Sequence, residues 1–316
     1  MFATNAHRSE VHRFKLSIVV PVFNEALTIR DVLEEIRVQT ADADTEVIVV
    51  DDGSTDGTGE LVETFPIPHE VVVHHDANLG KGAAVRSGIE RASGTHLLVF
   101  DADREYDPAD IPRLVTPILS GKAEVVYGAR VRGSGTTFPF FVNAIANKLL
   151  TAMANALFGS AISDLHTCLK LLPVPMLRQM QLHEKGFGLD TEISAELLRR
   201  GFRPYEVPVT YVGRSVEEGK KIRLMDACRC VAILLKIRLR GRTGYGHRDR
   251  SLAPAVSPPH LPDDRMVSLR HAPRSDVFRA SEIARLKPSE PAPGQEITEG
   301  GPKLGIRRNA ARRRSI

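Results

Sequence analysis

Short runs of valine, leucine and isoleucine recur in the first 130 residues and predict the strands of a β-sheet. Five such runs cover residues 16–20, 46–50, 70–74, 96–100 and 124–128. Nearly continuous apolar runs are typical of parallel strands that are covered on both faces. We therefore expect a sheet that lies between layers of helix.

The segments between these runs carry the spacing of amphipathic helices. An i, i+3, i+4, i+7 stripe in the first of them consists of Ile29, Val32, Leu33 and Ile36. Asp107 and Pro108 combine a capping side chain with proline at the first helical position, and predict a helix towards Leu119. This alternation predicts an α/β fold with a Rossmann-like, mostly parallel sheet and helices on both faces. Ligands of such folds bind beyond the carboxyl ends of the strands.

The alternation of strands and helices stops after Arg240, which divides the chain into three parts. Residues 241–316 hold 9 of the 20 prolines, and 15 Lys and Arg against 8 Asp and Glu. This composition predicts a disordered, Pro/Arg-rich tail. Residues 1–14 are expected to form a flexible leader, and residues 15–240 one folded domain.

Hydropathy, charge and cysteine content exclude several classes of protein. No window approaches the ~18 apolar residues of a membrane-spanning helix, and residues 1–15 lack the apolar core of a secretory signal. Three cysteines without C-x-x-C spacing argue against a disulfide framework and a zinc site, so a cytoplasmic protein is expected. The terminal arginine cluster is interpreted as a solvated tail, although such clusters also bind anionic lipid, and no nucleic-acid partner is expected.

Two carboxylates, Asp101 and Asp103, directly follow the fourth predicted strand. Two such anions beyond a strand end can share one Mg²⁺ or Mn²⁺, which in turn neutralises the phosphates of a bound substrate. Asp-x-Asp is short and also occurs in solvated turns, so the remaining motifs have to decide between the two interpretations.

Two further loops at predicted strand ends have the composition of a nucleoside site. Residues 21–25 can pack against a base and ribose, or can simply cap the helix that follows. Residues 51–58 contain glycines for positive φ and acids that can accept hydrogen bonds from a base or a ribose. Asp51, nearest the strand, is the predicted ligand, whereas Asp56 and one of the paired acids are predicted to form the turn.

Residues 78–85 form a glycine-rich loop that leads into a predicted helix. Such a loop places backbone N–H groups and Lys81 where a phosphate can bind. A dinucleotide-binding motif is disfavoured, because Val85 replaces the third glycine and the loop does not follow the first strand.

The order of these motifs resembles the family 2 glycosyltransferases of GT-A fold, and within them the dolichol-phosphate mannose synthase group that glycosylates polyprenyl phosphates. The matching segments are 17–25, 49–58, 78–82, 101–105, 127–130, 163–170 and 213–221. By this resemblance, residues 15–240 form a GT-A glycosyltransferase catalytic domain.

The resemblance also implies roles for individual residues. The nucleoside would be held by Pro21, Glu25, Val49 and Asp51. The divalent metal would be surrounded by Asp101, Asp103 and Glu105. The diphosphate would be gripped by Arg214 and Lys221, with further substrate contacts from Lys81, Ala102 and Arg130. Asp103, Arg214 and Asp164 are the predicted catalytic residues; Asp164 is expected to orient the sugar or acceptor, with helix capping as the alternative.

The implied reaction is an inverting, metal-dependent transfer of a sugar from a nucleotide-sugar donor to a polyprenyl phosphate acceptor. GDP-mannose and UDP-glucose both remain open as donors, and Mg²⁺ and Mn²⁺ as the ion. Cations stabilise the charge that develops on the nucleotide leaving group. A phosphate acceptor is already anionic at neutral pH, so the transfer needs no general base.

Two departures from the family pattern and two alternatives accompany this prediction. His166 and Leu169 stand where an acidic and an aromatic residue are usual, which bears on sugar or acceptor preference. Membrane contact on the cytosolic face would be peripheral, through segment 143–158 or the apolar residues before Lys236, with packing of both helices on the catalytic core as the alternative. A hydroxyl acceptor would instead require a carboxylate base such as Asp164 or Glu192. A non-catalytic nucleotide-sugar-binding protein is expected to lack a metal ligand. No oligomeric state is predicted.

Overall fold

A seven-stranded sheet organises the residues that the computed structural model describes, which are 13–65, 70–132, 141–214 and 224–240. The strands are β1 (Leu16–Val22), β2 (Thr45–Asp51), β3 (Glu70–His74), β4 (His96–Val99), β5 (Val126–Ala129), β6 (Lys170–Pro173) and β7 (Tyr205–Pro208). All five predicted strands are present. The last two were not predicted, because neither has a continuous apolar run: β6 is Lys-Leu-Leu-Pro and β7 is Tyr-Glu-Val-Pro.

The strand order is β3-β2-β1-β4-β6-β5-β7. The first four strands in this order are mutually parallel, and β5 is parallel to β7. Between them, β6 runs antiparallel to both neighbours and pairs Leu171 with Leu98 on one side and with Val126 on the other. The prediction of a mostly parallel α/β fold is confirmed.

Eight α-helices lie within the described residues. They are α1 (Ile29–Gln39), α2 (Thr58–Thr64), α3 (Lys81–Arg91), α4 (Ile111–Leu119), α5 (Phe141–Phe158), α6 (Val174–Gln179), α7 (Gly188–Arg199) and α8 (Leu224–Leu239). The predicted apolar stripe of α1 is buried along its whole length. Asp107 accepts a hydrogen bond from the N–H of Ala109 and Pro108 follows it, so the predicted start is confirmed as a 3-10 turn that continues into α4.

Two apolar cores hold these elements. The larger core surrounds the sheet, and the smaller one joins α5, α7 and α8 through residues such as Ala154, Leu198 and Leu234. Burial of a side chain of this size contributes roughly 1.5–3 kcal/mol, so the smaller core fixes three helices on the domain. The predicted leader and tail lie almost entirely outside the described residues, and both remain predictions.

The loops after β1 and β2 are hydrogen-bonded to each other. Asn24, at φ 57°, accepts a hydrogen bond from the N–H of Thr55 through its side chain. Asp56 accepts hydrogen bonds from the backbone N–H groups of Ala26 and Thr58, so its predicted turn-forming role is confirmed. These bonds hold two strand ends in register and leave a fixed floor for a ligand site.

Candidate active site

A cleft of about 350 Å³ opens beyond the carboxyl ends of β1, β2 and β4. This is the edge of the sheet at which the sequence predicted ligands to bind. Its walls are formed by Pro21, Val22, Phe23, Glu25, Asp52, Asn78, Gly80, Lys81, Ala84, Asp101, Ala102, Asp103, Glu105, Gly186, Phe187 and Arg214. Eight residues predicted as ligands from separate motifs therefore share one cavity.

Three carboxylates lie along one wall, but each has different partners. The Asp101 Oδ2 atom accepts a hydrogen bond from Lys81 Nζ at 2.8 Å. Asp103 Oδ1 accepts from the backbone N–H of Glu105 at 3.1 Å. The Glu105 carboxylate accepts from the Tyr211 hydroxyl at 2.7 Å and from the backbone N–H of Arg214 at 2.8 Å. Glu105 thereby ties this wall to the segment after β7.

Asp103 sits in surroundings that disfavour its negative charge. Burial, followed by the charges of Asp101 and Glu105, raises the pKa of Asp103 to about 7. A hydrogen bond from the backbone N–H of Glu105 and the charge of Arg214 act in the opposite direction and are outweighed. Near neutral pH a large fraction of this carboxyl therefore holds a proton unless a cation takes the place of that proton.

The donor set fits a divalent ion that shares its ligands with a substrate. Among the described residues, no three His, Cys, Asp or Glu side chains converge on one point, so a three-carboxylate cage of Asp101, Asp103 and Glu105 is not formed. Glu105 is engaged by Tyr211 and Arg214, which leaves the first two carboxylates facing the cleft. Mg²⁺ is commonly held by one or two carboxylates together with substrate phosphates and waters, and two carboxylates meet that requirement.

Arg214 and Glu25 hold each other across the cleft. The guanidinium donates from Nη1 and Nη2 to the two carboxylate oxygens of Glu25 at 3.1 and 3.0 Å, and from Nε to the backbone oxygen of Asp103 at 2.7 Å. A residue predicted to grip diphosphate thus pairs with one predicted to hold the nucleoside. Lys221, the second predicted diphosphate ligand, lies outside the described residues.

The N-terminus of α3 is closed by backbone instead of being open to a phosphate. The N–H groups of Gly82 and Ala83 donate to the carbonyl oxygen of Lys185 at 2.6 and 3.2 Å. A side chain at Gly80, where φ is 96°, would lie 2.5 Å from that oxygen. The prediction that these N–H groups cradle a phosphate is wrong, because the glycines instead admit the segment that carries Phe187 to the cleft. Lys81 does face the cleft.

The two adjacent aspartates after β2 point to different places. Asp51 accepts from the backbone N–H of Ser54 and lies 3.2 Å from His74 Nδ1, and it is not among the residues that form the cleft wall. Asp52 is on that wall and accepts from the N–H groups of Leu79 and Gly80. The structure thus places Asp52 where Asp51 was expected. Neighbouring positions in a strand face opposite sides, and the sequence did not show which side carries the cleft.

Val49 and two charged residues predicted as ligands also lie away from the cleft wall. Val49 is fully buried in β2. Arg130 donates through Nε and Nη2 to both oxygens of Asp164 at 2.6 and 2.8 Å, and both residues are buried. Burial would raise the pKa of Asp164, but the Arg130 charge and hydrogen bonds hold it at about 2. This bidentate pair joins the end of β5 to the segment between α5 and β6.

His166 extends this buried network towards the helices. Its Nδ1 lies 2.9 Å from Asn147 Oδ1 and its Nε2 lies 2.9 Å from Thr191 Oγ1. Burial is the main cause that lowers the pKa of His166 to about 4, so the imidazole is neutral at physiological pH. A structural role accounts for both of its ring nitrogens.

Comparison with known proteins identifies the family. A family model described as glycosyl transferase family 2 matches residues 17–180, which is more than half of the chain. The chain belongs to this family. The match includes β1, β2, β4 and the Asp101 to Glu105 wall of the cleft.

Three similar proteins extend the comparison of this family 2 member. Glycosyltransferase AglJ from Haloferax volcanii is 31% identical over 198 residues, which cover 62% of this chain and 63% of that protein. Undecaprenyl-phosphate mannosyltransferase from Micrococcus luteus is 29% identical over 216 residues, which cover 64% and 85% of the two chains. The crystal structure of glucosyl-3-phosphoglycerate synthase from Mycobacterium tuberculosis, in complex with Mn²⁺, UDP and glucosyl-3-phosphoglycerate, superposes with a TM-score of 0.54 at 22% identity. It covers 71% of this chain and 80% of that one, and shows that the fold is shared.

Proposed function

We propose that this protein is an inverting, metal-dependent glycosyltransferase that transfers a sugar from a nucleotide sugar to a polyprenyl phosphate. The observation that carries the proposal is the cleft itself, where Asp101 and Asp103 face Lys81 and Arg214 at the carboxyl ends of the strands. This combination suits a nucleoside diphosphate, because anionic and cationic groups are needed together to hold a metal and phosphates. The similarity to the undecaprenyl-phosphate mannosyltransferase supports the acceptor class.

The donor would be held by groups that are now engaged with one another. A diphosphate that enters the cleft can compete with Glu25 for Arg214, because a guanidinium binds phosphate oxygens bidentately just as it binds the Glu25 carboxylate, and a diphosphate carries more negative charge. Glu25 is then released to accept from the ribose hydroxyls, and Asp52 lies on the wall where a nucleobase N–H can reach it. A divalent ion held by Asp101 and Asp103 would supply Lewis-acid stabilisation of the leaving diphosphate.

A hydroxyl acceptor would need a carboxylate base, and the two predicted candidates are Asp164 and Glu192. The burial and hydrogen bonds of both residues favour a phosphate acceptor instead. Asp164 is buried, is paired with Arg130 and has its pKa held at about 2. Glu192 is buried and accepts from the backbone N–H groups of His183 and Glu184. Neither residue is on the cleft wall, so neither is placed to remove a proton from a hydroxyl. A phosphate needs no such base.

Sugar transfer can be tested directly with purified protein. We expect label from GDP-mannose or UDP-glucose to reach a polyprenyl phosphate in the presence of Mg²⁺ or Mn²⁺, and chelation with EDTA to stop the transfer. Asp103→Asn should abolish it, whereas Asp76→Asn, on an exposed loop, should not. If no polyprenyl phosphate is labelled across a panel of donors, the proposed acceptor is wrong. Donor-dependent thermal stabilisation identifies the nucleotide, since a ligand at about 100 times its Kd adds roughly 2.7 kcal/mol.

We also propose peripheral contact with an anionic membrane surface through α5 and α8. None of the helices that the structure describes is long and apolar enough to cross a membrane. Each of these two helices buries one face in the smaller core and exposes another at 4-3-4 spacing. The exposed positions are Ile145, Leu149, Ala152 and Ala156 on α5, and Cys228, Ala232, Leu235 and Leu239 on α8. Lys236 and Arg238 are exposed beside the second stripe, as in interfacial helices.

Vesicle sedimentation tests this contact. We expect the protein to bind vesicles that contain anionic lipid more strongly than neutral ones, and to be released by salt because surface charges are screened. The double variant L235S/L239S should bind more weakly. The control is Leu27→Ser, since Leu27 is more exposed, at 97% against 43% for Leu235 and 85% for Leu239, but lies after β1. Equal losses in both variants would show that the contact is not specific to α8.

A further inference from the structure

Lys81 lies between two carboxylates at the edge of the cleft. Its Nζ atom is 2.8 Å from Asp101 Oδ2 and 3.9 Å from Asp190 Oδ2. The other oxygen of Asp190 is 2.9 Å from Lys170 Nζ. The side chains of Lys81, Asp101 and Asp190 are 17–19% exposed and that of Lys170 is 1% exposed. Charges of alternating sign therefore run from the cleft wall into the protein core.

We propose that Lys81 competes with the divalent ion for Asp101 and transfers to Asp190 when the ion binds. In the metal-free protein the Lys81 ammonium neutralises the charge of Asp101, which the proposed metal site needs as a ligand. The inference rests on the proposed function, because it concerns the same site. It assigns Lys81 a positioning role towards the ion, and assigns Asp190 the role of its alternative partner.

The first argument is electrostatic. An ion bound by Asp101 and Asp103 would lie only a few ångströms from the ammonium that Asp101 now holds. Repulsion between like charges at that separation is strong in a partly buried site, where water and salt screen it poorly. The ion and the ammonium therefore cannot both occupy Asp101 without a large cost.

The second argument is that the displaced ammonium has a partner ready. Asp190 Oδ2 is already within ion-pair distance, so a rotation about the Lys81 side chain is enough to reach it. Leaving a buried charge without a partner is strongly unfavourable, and Asp190 removes that cost. Lys170 holds the opposite oxygen of Asp190 and so fixes the acceptor in place.

Mn²⁺ binding to the full chain, measured by electron paramagnetic resonance without any nucleotide, tests the proposal. Lys81→Met removes the competing charge and keeps the length of the side chain, so we expect Mn²⁺ to bind roughly tenfold more tightly than to the wild type. Lys15→Met is the matched control. Lys15 Nζ forms an ion pair of 2.9 Å with Glu46 beside the first residue of β1, at the other end of that strand from the cleft. Its loss should leave Mn²⁺ affinity unchanged.

For Asp190→Asn we expect the opposite change in Mn²⁺ affinity. With its alternative partner weakened, Lys81 should stay on Asp101, and Mn²⁺ should bind roughly tenfold more weakly. The double variant K81M/D190N should bind as tightly as K81M, because no ammonium remains to be displaced. Thermal unfolding monitors each variant, and if the Asp190 change unfolds the protein, the comparison of K81M with the wild type still tests the competition.

The outcomes separate this inference from the proposed function. If K81M binds Mn²⁺ no more tightly than the wild type, the competition does not exist. If K81M instead binds GDP or UDP more weakly with unchanged Mn²⁺ affinity, Lys81 is a phosphate ligand; the inference is then overturned while the glycosyltransferase proposal stands. Tighter Mn²⁺ binding by K81M supports the inference whatever acceptor the protein uses.

Discussion

At the scale of single residues, Asp103 couples the pH to the stability of the fold. Its pKa is about 7 in the folded protein, against roughly 3.9 for an unperturbed aspartate. The folded state therefore binds more protons than the unfolded state between about pH 4 and 7, and stability falls as the pH rises through that window. Above pH 7 the ionised Asp103 carboxylate lowers the free energy of unfolding by its full amount.

Asp103→Asn should remove this dependence. We expect the variant to be more stable than the wild type at pH 8 by on the order of 2 kcal/mol, and to differ little at pH 4. Urea unfolding at both values measures the difference, with Asp76→Asn on an exposed loop as the control. Mn²⁺ should stabilise the wild type more than the variant at pH 8. Equal pH dependence in the two proteins would contradict the burial and charge effects on Asp103.

Arg130 and Asp164 give a second prediction at this scale. Arg130→Met leaves a buried carboxylate without its cation, and we expect the free energy of unfolding to fall by about 3–5 kcal/mol. Asp164→Asn added to that variant should recover part of the loss, since the unpaired charge is gone. Chemical denaturation measures both. Arg37→Met, which breaks the exposed pair with Glu34, should cause no measurable change. A similar small effect for Arg130→Met would mean that water reaches the pair.

The sequence predicted the composition of the cleft better than it predicted individual contacts. Motifs at strand ends bring Glu25, Asp101 and Arg214 to one cavity because parallel strands end at one edge of the sheet. It did not predict that the Lys185 carbonyl closes the α3 terminus, since about 100 residues separate the two segments. Asp190 was missed for the same reason: nothing in its local sequence marks an acidic residue of α7 as a partner of Lys81.

At the scale of elements, the contact between α3 and the segment before α7 depends on Gly82. A methyl group there would press on the backbone of Glu184 and lie 2.9 Å from the Lys185 carbonyl carbon. Gly82→Ala should destabilise the protein by about 1–2 kcal/mol, because the clash outweighs the gain in helix propensity. Donor binding should weaken as well, because the displaced segment continues into the cleft wall at Phe187.

Gly186→Ala is the control for this prediction. It adds the same methyl group in the same segment, but no atom lies within 4 Å of the position the group would take. Thermal unfolding of the two variants separates a specific clash from a general effect of replacing glycine. A Gly82→Ala protein as stable as the wild type would show that the two segments can move apart freely.

Some helices and strands have a local sequence pattern that predicts them, and others do not. The strands β1 to β5 and helix α1 have apolar runs or stripes long enough to predict, and all are present. The strands β6 and β7 lack such a run, since each contains a charged residue and ends in proline, and β6 has the buried Lys170 at its start. A charged residue in a short apolar run does not indicate a central strand. Its ion pair with Asp190, which makes the position tolerable, is a tertiary contact.

At the scale of the whole molecule, the two cores draw on residues up to Ile237. We therefore propose that residues 15–240 fold without the tail. A chain that ends at Arg240 should unfold cooperatively, with a free energy close to that of the full chain. Urea denaturation followed by circular dichroism compares the two. A non-cooperative transition of the shorter chain would show that residues 241–316 contribute to the domain.

The position of β6 also orders events during synthesis on the ribosome. The four parallel strands β3-β2-β1-β4 are complete once residue 99 has emerged, but the partner on the free side of β4 ends only at residue 173. At roughly 5–20 residues per second, β4 is the open edge of a nascent sheet for about 4–15 s. An unpaired apolar edge templates association between chains. A slow codon cluster placed between positions 100 and 170 should therefore lower the soluble yield, whereas the same cluster after position 210 should not.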